Sequence, residues 1–404
     1  MTTVGVRSEV GRLRSVLVHR PDFELARVTP DTMDELLFDE LIWVDRARDE
    51  HRQFTSILRQ AGAEVLVLGE LLAEVLADRE LAGQVVAAHV TDMTCGPALA
   101  ARVRGYLLDL PPDQLVRHLI GGVTLGEVAV RADRDSLVAS VQQPFELLVP
   151  PLPNAVFTRD SSAWIGDGVV ISPMNRLVRR READLLRLIY SAHPRFADAS
   201  IWFGAEPVEY FPATVEGGDV LVVADRGLAI GLSERSTASG VEMLAARLFE
   251  ADVVERIVVV DLPKARTTMH LDTVVTMVDR DAFILYPQIR AQVRCLRITP
   301  RDGLLDVRPG GDLLDELAWA ADLDQVRGIE PEFGSVQAER EQWNDANNVL
   351  AVAPGEVVAY ERNAATNAIL EDAGITVHRI PSNELPRGRG GPRCMTCPVL
   401  RDRL

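Results

Sequence analysis

"GGDVLVVADRGLAIGLSERSTASGVEMLAARL", residues 217–248, holds a complete structural unit in one stretch. An aspartate opens it, a short apolar run follows, and DRG supplies a turn. A second apolar run comes next, and then apolar residues at helical spacing. The order is strand, turn, strand, helix. It recurs in "RDSSAWIGDGVVISPMNRLVRRREADLLRL" (159–188), "HLDTVVTMVDRDAFILYP" (270–287) and "NNVLAVAPGEVVAYERNAATNAILEDAG" (347–374). The turns GDG, DRD and PGE suit hairpins, and three of the four copies run on into a helix. The spacing between copies is uneven, so the chain is not a regular solenoid. Residues 1–70 read as strand ("RSVLVH"), helix ("DELIWVDRARDEHRQFTSILRQAG") and strand ("AEVLVL"), a candidate fifth unit.

Units related by rotation about a common axis bring their equivalent positions to that axis. Asp160, Asp219, Asp272 and Asn348 are such positions, each just before the first strand of its unit. The expectation is a cluster of acidic and polar groups at the centre of a closed ring. Carboxylates gathered there repel one another, and burial disfavours their charge, so the arrangement calls for a bound cation.

Residues 71–147 have another character: "LLAEVLADRELAGQVVAAHV", "GPALAARVRGYLLDL" and "PDQLVRHLIGGVTLGEV" are amphipathic and rich in Ala and Leu. They read as a helical insertion domain of four or five helices. It divides a first segment, 1–70, from the remainder, 148–404, and "PFELLVPPLPN" leads back into the main body.

A 404-residue chain that is 47% hydrophobic and 25% charged has the material for a large core. A net charge of −17 argues against nucleic acid, which needs basic surface, and suits a cationic small molecule. No apolar run approaches the ~20 residues of a membrane span, and "MTTVGVRSEVGRL" lacks a signal peptide's apolar stretch. These features place the protein in the cytoplasm. Basic residues are nearly all arginine, with Lys264 the only lysine.

Four short stretches carry chemistry. "PNAVFTRD" (153–160) packs a turn, an aromatic ring and an acid together, and otherwise reads as a solvated turn. "EGGD" (216–219) sets two carboxylates beside glycines that permit close approach to a ligand, or forms a tight turn. "MHLD" (269–272) offers His270 and Asp272. Residues two apart on a strand share a face, as a general acid/base beside a substrate carboxylate or as two metal ligands. The other histidines lack such company.

The last stretch, "RGRGGPRCMTCPVLRDRL" (387–404), holds Cys394 and Cys397. A Cys-x-x-Cys redox pair normally opens a helix in a thioredoxin-like fold, and no chain remains here to build one. Structural zinc takes four ligands, and Cys95 and Cys295 are isolated. A nucleophilic thiol remains. Only the thiolate reacts, and Arg389, Arg393 or a bound cationic substrate would favour it.

"FTRD", "EGGD", "MHLDTV" and "RGRGGPRCMTCP", in this order, resemble the arginine deiminase family. "SEVGRLRSVLVHRP", "LLFDELIWVDRARDEHRQF" and "NNVLAVAPGEVVAYERN" are similar to it too, so the likeness runs nearly end to end. The resemblance implies an α/β fold, a five-bladed α/β propeller of pseudo-symmetric ββαβ units with an all-helical insertion. It implies hydrolysis of L-arginine to L-citrulline and ammonia with no metal or organic cofactor, and a homo-oligomer, dimer or tetramer. On this likeness Cys394 is the nucleophile and His270 the general acid/base. Glu216 works with the histidine, and Asp160 and Asp272 grip the guanidinium. Asn154, Phe157, Arg179 and Arg235 match residues around the amino-acid end of the substrate, with Asp219 beside the acids. Arg389 matches an arginine on a mobile loop. Arg179 and Glu182, three apart on a helix, are placed to pair. Arg393 departs from members that carry His there. Competing readings are an amidinotransferase, an agmatine or methylated-arginine hydrolase, a catalytically silent arginine-binding protein, and a thiol-redox protein.

Overall fold

The computed structural model describes residues 4–128, 136–206, 208–332 and 334–404. Each hairpin read from the sequence forms. Ser162–Ile165 pairs antiparallel with Gly168–Ile171, Val220–Ala224 with Gly227–Leu232, Val275–Asp279 with Ala282–Leu285, and Leu350–Ala353 with Glu356–Tyr360. The second strand of each hairpin then takes a parallel neighbour: Ser200–Phe203, Arg256–Asp261, Arg327–Ile329 and Thr376–Ile380 respectively. Parallel pairing needs a crossover. Helices Arg180–Ala192, Ala238–Glu250, Leu313–Ala321 and Ala364–Asp372 lie within the four crossovers.

The strands are apolar on both faces because both faces are covered. Alternate side chains point to opposite sides of a strand. Val220 and Val222 therefore enter one apolar cluster while Leu221 and Val223 enter another. Leu350 and Val352 join a third, with Leu13, Val16, Phe54 and Leu58. Burying one such large side chain contributes about 1.5–3 kcal/mol.

The expected five-bladed α/β propeller of pseudo-symmetric units is not the fold observed. The described strands form six separate sheets, and none closes into a barrel or propeller. The sheets are also unequal. Arg294–Arg301 and Leu304–Pro309 add two antiparallel strands beyond Arg256–Asp261, giving a five-stranded sheet beside three-stranded ones. The architecture is mixed α/β with scattered sheets. Hairpin patterning fixes each local unit but carries no signal for pairing between units, and among the described residues no sheet joins two of the four hairpins.

Nor is the insertion all-helical. Helices Leu68–Val75, Arg79–His89, Asp92–Cys95, Pro97–Asp109, Pro112–Gly121 and Leu137–Val141 fill most of it, but Val123–Thr124 pairs with Leu147–Val149 as a two-stranded ribbon. Leu72, Val86, Leu99 and Leu119 share an apolar cluster with Trp164 and Leu186 of the main body. No helix among the described residues is long and apolar enough to cross a membrane.

The chain's two ends meet. Leu13–Val18 pairs parallel with Glu64–Val67 on one side and antiparallel with the last strand, Cys397–Arg401, on the other. This pairing anchors the C-terminal stretch and sets Cys394, three residues before the strand, inside the molecule.

Candidate active site

Asp160, Asp219, Asp272 and Asn348 each lie in the turn just ahead of the first strand of a hairpin, as the repeat predicts, and all four are buried. Cys394 joins them at 4% exposure. Its Sγ is 3.8 Å from Asp272 Oδ2, and its backbone N–H donates to Asn348 Oδ1 at 3.0 Å. Burial, and then the charges of Asp272, Asp160 and Asp345, push the thiol well above its ordinary range.

His270 and Asp272 do not share a strand face. His270 caps the start of a short 3₁₀ turn, Leu271–Thr273, and Asp272 lies within it, and the two side chains have different partners. His270 Nε2 meets Glu216 Oε2 at 2.9 Å, and its Nδ1 lies 3.7 Å from Asp160 Oδ1. Burial alone disfavours the imidazolium, but Asp160, Glu216 and Asp219 outweigh it and raise the group to about 9. Glu216 moves the other way. Burial works against its charge, yet the His270 hydrogen bond and the Arg235 guanidinium bring it down to about 2. The pair is therefore imidazolium and carboxylate at neutral pH. Gly218 makes the close approach possible, because a Cβ there would stand 2.7 Å from the His270 ring.

Asp160 and Asp272 are each held by one oxygen. Arg179 Nη1 donates to Asp160 Oδ2 at 2.6 Å, and Arg393 Nη1 to Asp272 Oδ2 at 2.7 Å. The other oxygens, Asp160 Oδ1 and Asp272 Oδ1, are buried with no hydrogen-bond partner. Buried carboxylate oxygens without donors are costly, and two of them on aspartates whose charges act on one thiol suit a cation bearing several N–H groups. Two arginines complement them. Arg235 and Arg389 are buried, and the Nε and Nη1 of each make no hydrogen bond, although those of Arg235 lie 3.5 and 3.7 Å from the Glu234 and Glu216 carboxylates.

A family model described as arginine deiminase matches residues 34–401. The chain belongs to the arginine deiminase family. It is 45% identical to an arginine deiminase of Rhodococcus erythropolis over 99% of this chain and 98% of that protein. It is 46% identical to one from Rhodococcus opacus over the same shares. Among solved structures it is similar in fold to an amidinotransferase of the saxitoxin biosynthetic pathway from Microseira wollei. That match has a TM-score of 0.58 at 13% identity and covers 100% of this chain and 98% of the other.

The arginine deiminase site residues expected from sequence fall into two groups. Cys394, His270, Glu216, Asp160 and Asp272 form the set just described. Asn154, Phe157, Asp160, Arg179, Arg235 and Arg389 line one small cavity of about 20 Å³, room for a single water. Gly388 and Arg389 form part of the cavity wall: Gly388 packs on Phe157 and Phe38, and Arg389 stacks on Trp343 at 3.5 Å with a left-handed backbone. A larger cavity of about 770 Å³, between helices Arg79–His89 and Arg180–Ala192, contains none of these groups.

Three expected ligand-binding residues make hydrogen bonds within the protein. Asp219 accepts from the hydroxyls of Ser233 and Ser236 at 2.6 Å each and from the backbone N–H of Leu271 at 2.8 Å. It braces the turn that carries His270, and burial raises its carboxyl to about 6 in spite of those donors. Arg179 spends its N–H groups on Glu182, Asp160 and the Asn154 carbonyl. The Arg179–Glu182 pair expected from their spacing forms at 2.8 Å. Asn154 Nδ2 donates to the Leu36 carbonyl at 2.7 Å.

Arg393 is neither exposed nor loose. Its Nε and Nη2 donate to both oxygens of Glu9 at 3.0 and 3.1 Å, Nη2 also reaches the Val220 carbonyl, and Nη1 holds Asp272. Sequence reasoning missed Glu9, because nothing in "SEVGRL" marks one glutamate as a partner for a residue 384 positions away. It also missed Glu50, whose carboxylate accepts from the backbone of Asn383, Glu384 and Leu385 and so fixes the entry to the 385–391 stretch. Asp345, buried and raised to about 7 by burial against the pull of Arg389, gave no sequence signal either.

Substituting Arg393→Met removes the ion-pair partner of two buried carboxylates, Glu9 and Asp272. Removing one partner of a buried ion pair costs about 3–5 kcal/mol, so urea unfolding at pH 7 is expected to show a loss of that size. A loss under about 1 kcal/mol would mean that the carboxylates relax to solvent.

Proposed function

We propose that this chain hydrolyses L-arginine to L-citrulline and ammonia through a covalent amidino adduct on Cys394. The observation that carries the reading is a pair of buried carboxylate oxygens without a hydrogen-bond partner, Asp160 Oδ1 and Asp272 Oδ1, on the two aspartates whose charges bear most on that thiol. A guanidinium is planar and presents its N–H groups in a fixed fork that matches carboxylates. Held between the two aspartates, it keeps its central carbon in reach of Cys394 Sγ. It also supplies the positive charge that the free thiol lacks, so arginine binding itself favours the thiolate.

The thiolate forms a C–S bond to the guanidinium carbon. His270 Nε2 is engaged with Glu216, so the proton on Nδ1 is the one given to the departing nitrogen, which leaves as ammonia. The C–N bond breaks and the amidino group stays on sulfur. The neutral imidazole next takes a proton from water, and the hydroxide adds to the same carbon. Collapse of that adduct breaks the C–S bond, its hydroxyl proton passes to solvent as the oxygen becomes the ureido carbonyl, and the thiolate is restored. At the other end, the N–H groups of Arg235 and Arg389 that make no hydrogen bond suit the α-carboxylate. That preference favours arginine over agmatine, which has no carboxylate.

The test is incubation of purified protein with arginine, with and without glycine. Citrulline and ammonia in equal amounts, unaffected by glycine, are expected. Transfer of the amidino group to glycine would replace this reading by an amidinotransferase. Agmatine, as a control, is expected to turn over at under about a hundredth of the arginine rate, the loss of a buried charge-assisted contact. A single symmetric peak of dimer or tetramer size on sizing chromatography is expected for the assembly.

The reaction needs His270 protonated in the first step. At saturating arginine, where the bound guanidinium has already favoured the thiolate, kcat is expected to fall as pH rises through the His270 pKa, raised to about 9 in the free protein. Glu216→Gln removes the negative charge that keeps the proton on His270, so its pKa falls and the alkaline limb moves to lower pH. A limb that stays in place would show that another group controls it.

A further inference from the structure

Asn348 is the fourth of the repeat-equivalent positions, and it differs from the other three in being an amide rather than an acid. It is completely buried. Its Oδ1 accepts the backbone N–H of Cys394 at 3.0 Å, and its Nδ2 donates to the backbone carbonyl of Asp272 at 3.0 Å. One side chain therefore ties the peptide of the thiol to the peptide of the carboxylate that faces it. The loop is pressed directly on it, since a Cβ at Gly391 would stand 2.6 Å from Asn348 Oδ1. The backbone N–H of Asn348 is itself held by the Asp345 carbonyl at 3.0 Å.

We propose that Asn348 is a positioning residue for the reaction, fixing Cys394 Sγ against Asp272 through these two hydrogen bonds while adding no charge. The inference rests on Cys394 being the nucleophile. Both halves of the amide are used. An acceptor alone leaves the Asp272 carbonyl without its donor, and a donor alone leaves the Cys394 N–H without its acceptor. Asp in this place keeps the shape and the acceptor, loses the donor, and puts another carboxylate beside the thiol. Cys394 already faces Asp272, Asp160 and Asp345 against the Arg389 guanidinium, and the Tyr360 phenol lies near it. A further negative charge there opposes the thiolate.

The experiment compares wild type, Asn348→Ala and Asn348→Asp for kcat, KM, thermal midpoint and the pH dependence of iodoacetamide alkylation at the peptide carrying Cys394. In Asn348→Ala a misplaced thiol lowers kcat by about 10- to 100-fold while KM stays within about threefold, because the residue touches the protein's backbone and not the substrate. In Asn348→Asp the alkylation profile moves to higher pH by about one unit, a change that loss of structural support alone does not produce. Wild-type-like kcat in Asn348→Ala, or an unshifted alkylation profile in a folded Asn348→Asp, overturns the proposal. If Asn348→Asp does not fold, the kcat and KM values of Asn348→Ala decide alone. An arginine-derived adduct trapped on a residue other than Cys394 in wild type overturns the nucleophile reading instead. An adduct on Cys394 with normal Asn348 variants overturns only the positioning role.

Discussion

Cys394→Ala is expected to lower kcat by about 10⁴-fold or more, with no amidino adduct on acid-quenched protein, while Cys397→Ser keeps most of the activity. The two thiols are three residues apart but occupy different surroundings. Cys394 Sγ faces Asp272 and shares its neighbourhood with Asp160 and Asp345. Cys397 is fully buried, begins the last strand, and its Sγ contacts the Ser162 carbonyl at 3.4 Å. A serine hydroxyl can donate to that carbonyl, so Cys397→Ser preserves the local bond. Both cysteines are free thiols in the structure. Steady-state citrulline formation and mass spectrometry of the quenched protein check the pair of variants. Equal loss in both, with a disulfide between them, would return the stretch to a redox reading.

His270→Ala is expected to reduce kcat by about 10²- to 10⁴-fold and to stop the reaction before the first product. Without the imidazolium, ammonia has no proton donor and leaves poorly, so no burst of ammonia and no trapped adduct form. That outcome separates His270 from a group needed only for hydrolysis, whose removal would let the adduct accumulate. The variant also strips Glu216 of its strongest neighbour. With Arg235 still 3.7 Å away and the Asn175 backbone N–H at 3.0 Å, Glu216 retains partners and the fold is expected to hold. Single-turnover quench experiments with excess enzyme distinguish the cases. An adduct that accumulates in His270→Ala would confine the histidine to the second half of the reaction.

Much of this was legible in the chain before any coordinates. The alternating apolar runs and their turns determined the four hairpins, because pleat and turn chemistry are local. The same repeat placed Asp160, Asp219, Asp272 and Asn348 ahead of their strands, elimination left a nucleophilic thiol in the last stretch, and the family resemblance singled out Cys394. The site motifs and the family they resemble were visible as well. Closure of the sheets was not, and the expectation of a propeller failed there. Ladder bonds between distant strands depend on how units pack, and the extra strands Arg294–Arg301 and Leu304–Pro309 enlarged one sheet alone.

Only the tertiary structure decided which acids are free. Asp160 and Asp272 keep an oxygen without a hydrogen-bond partner, whereas Asp219 is spent on Ser233, Ser236 and Leu271. In sequence the three are equivalent. It also decided that Arg393 is locked by Glu9 rather than held over the mouth of the site, and that Arg235 and Arg389 carry nitrogens that make no hydrogen bond. Residue types and local periodicity determined what groups this protein brings to its centre. Their hydrogen-bond partners come from segments hundreds of residues away, and a buried group's charge and availability depend on those partners.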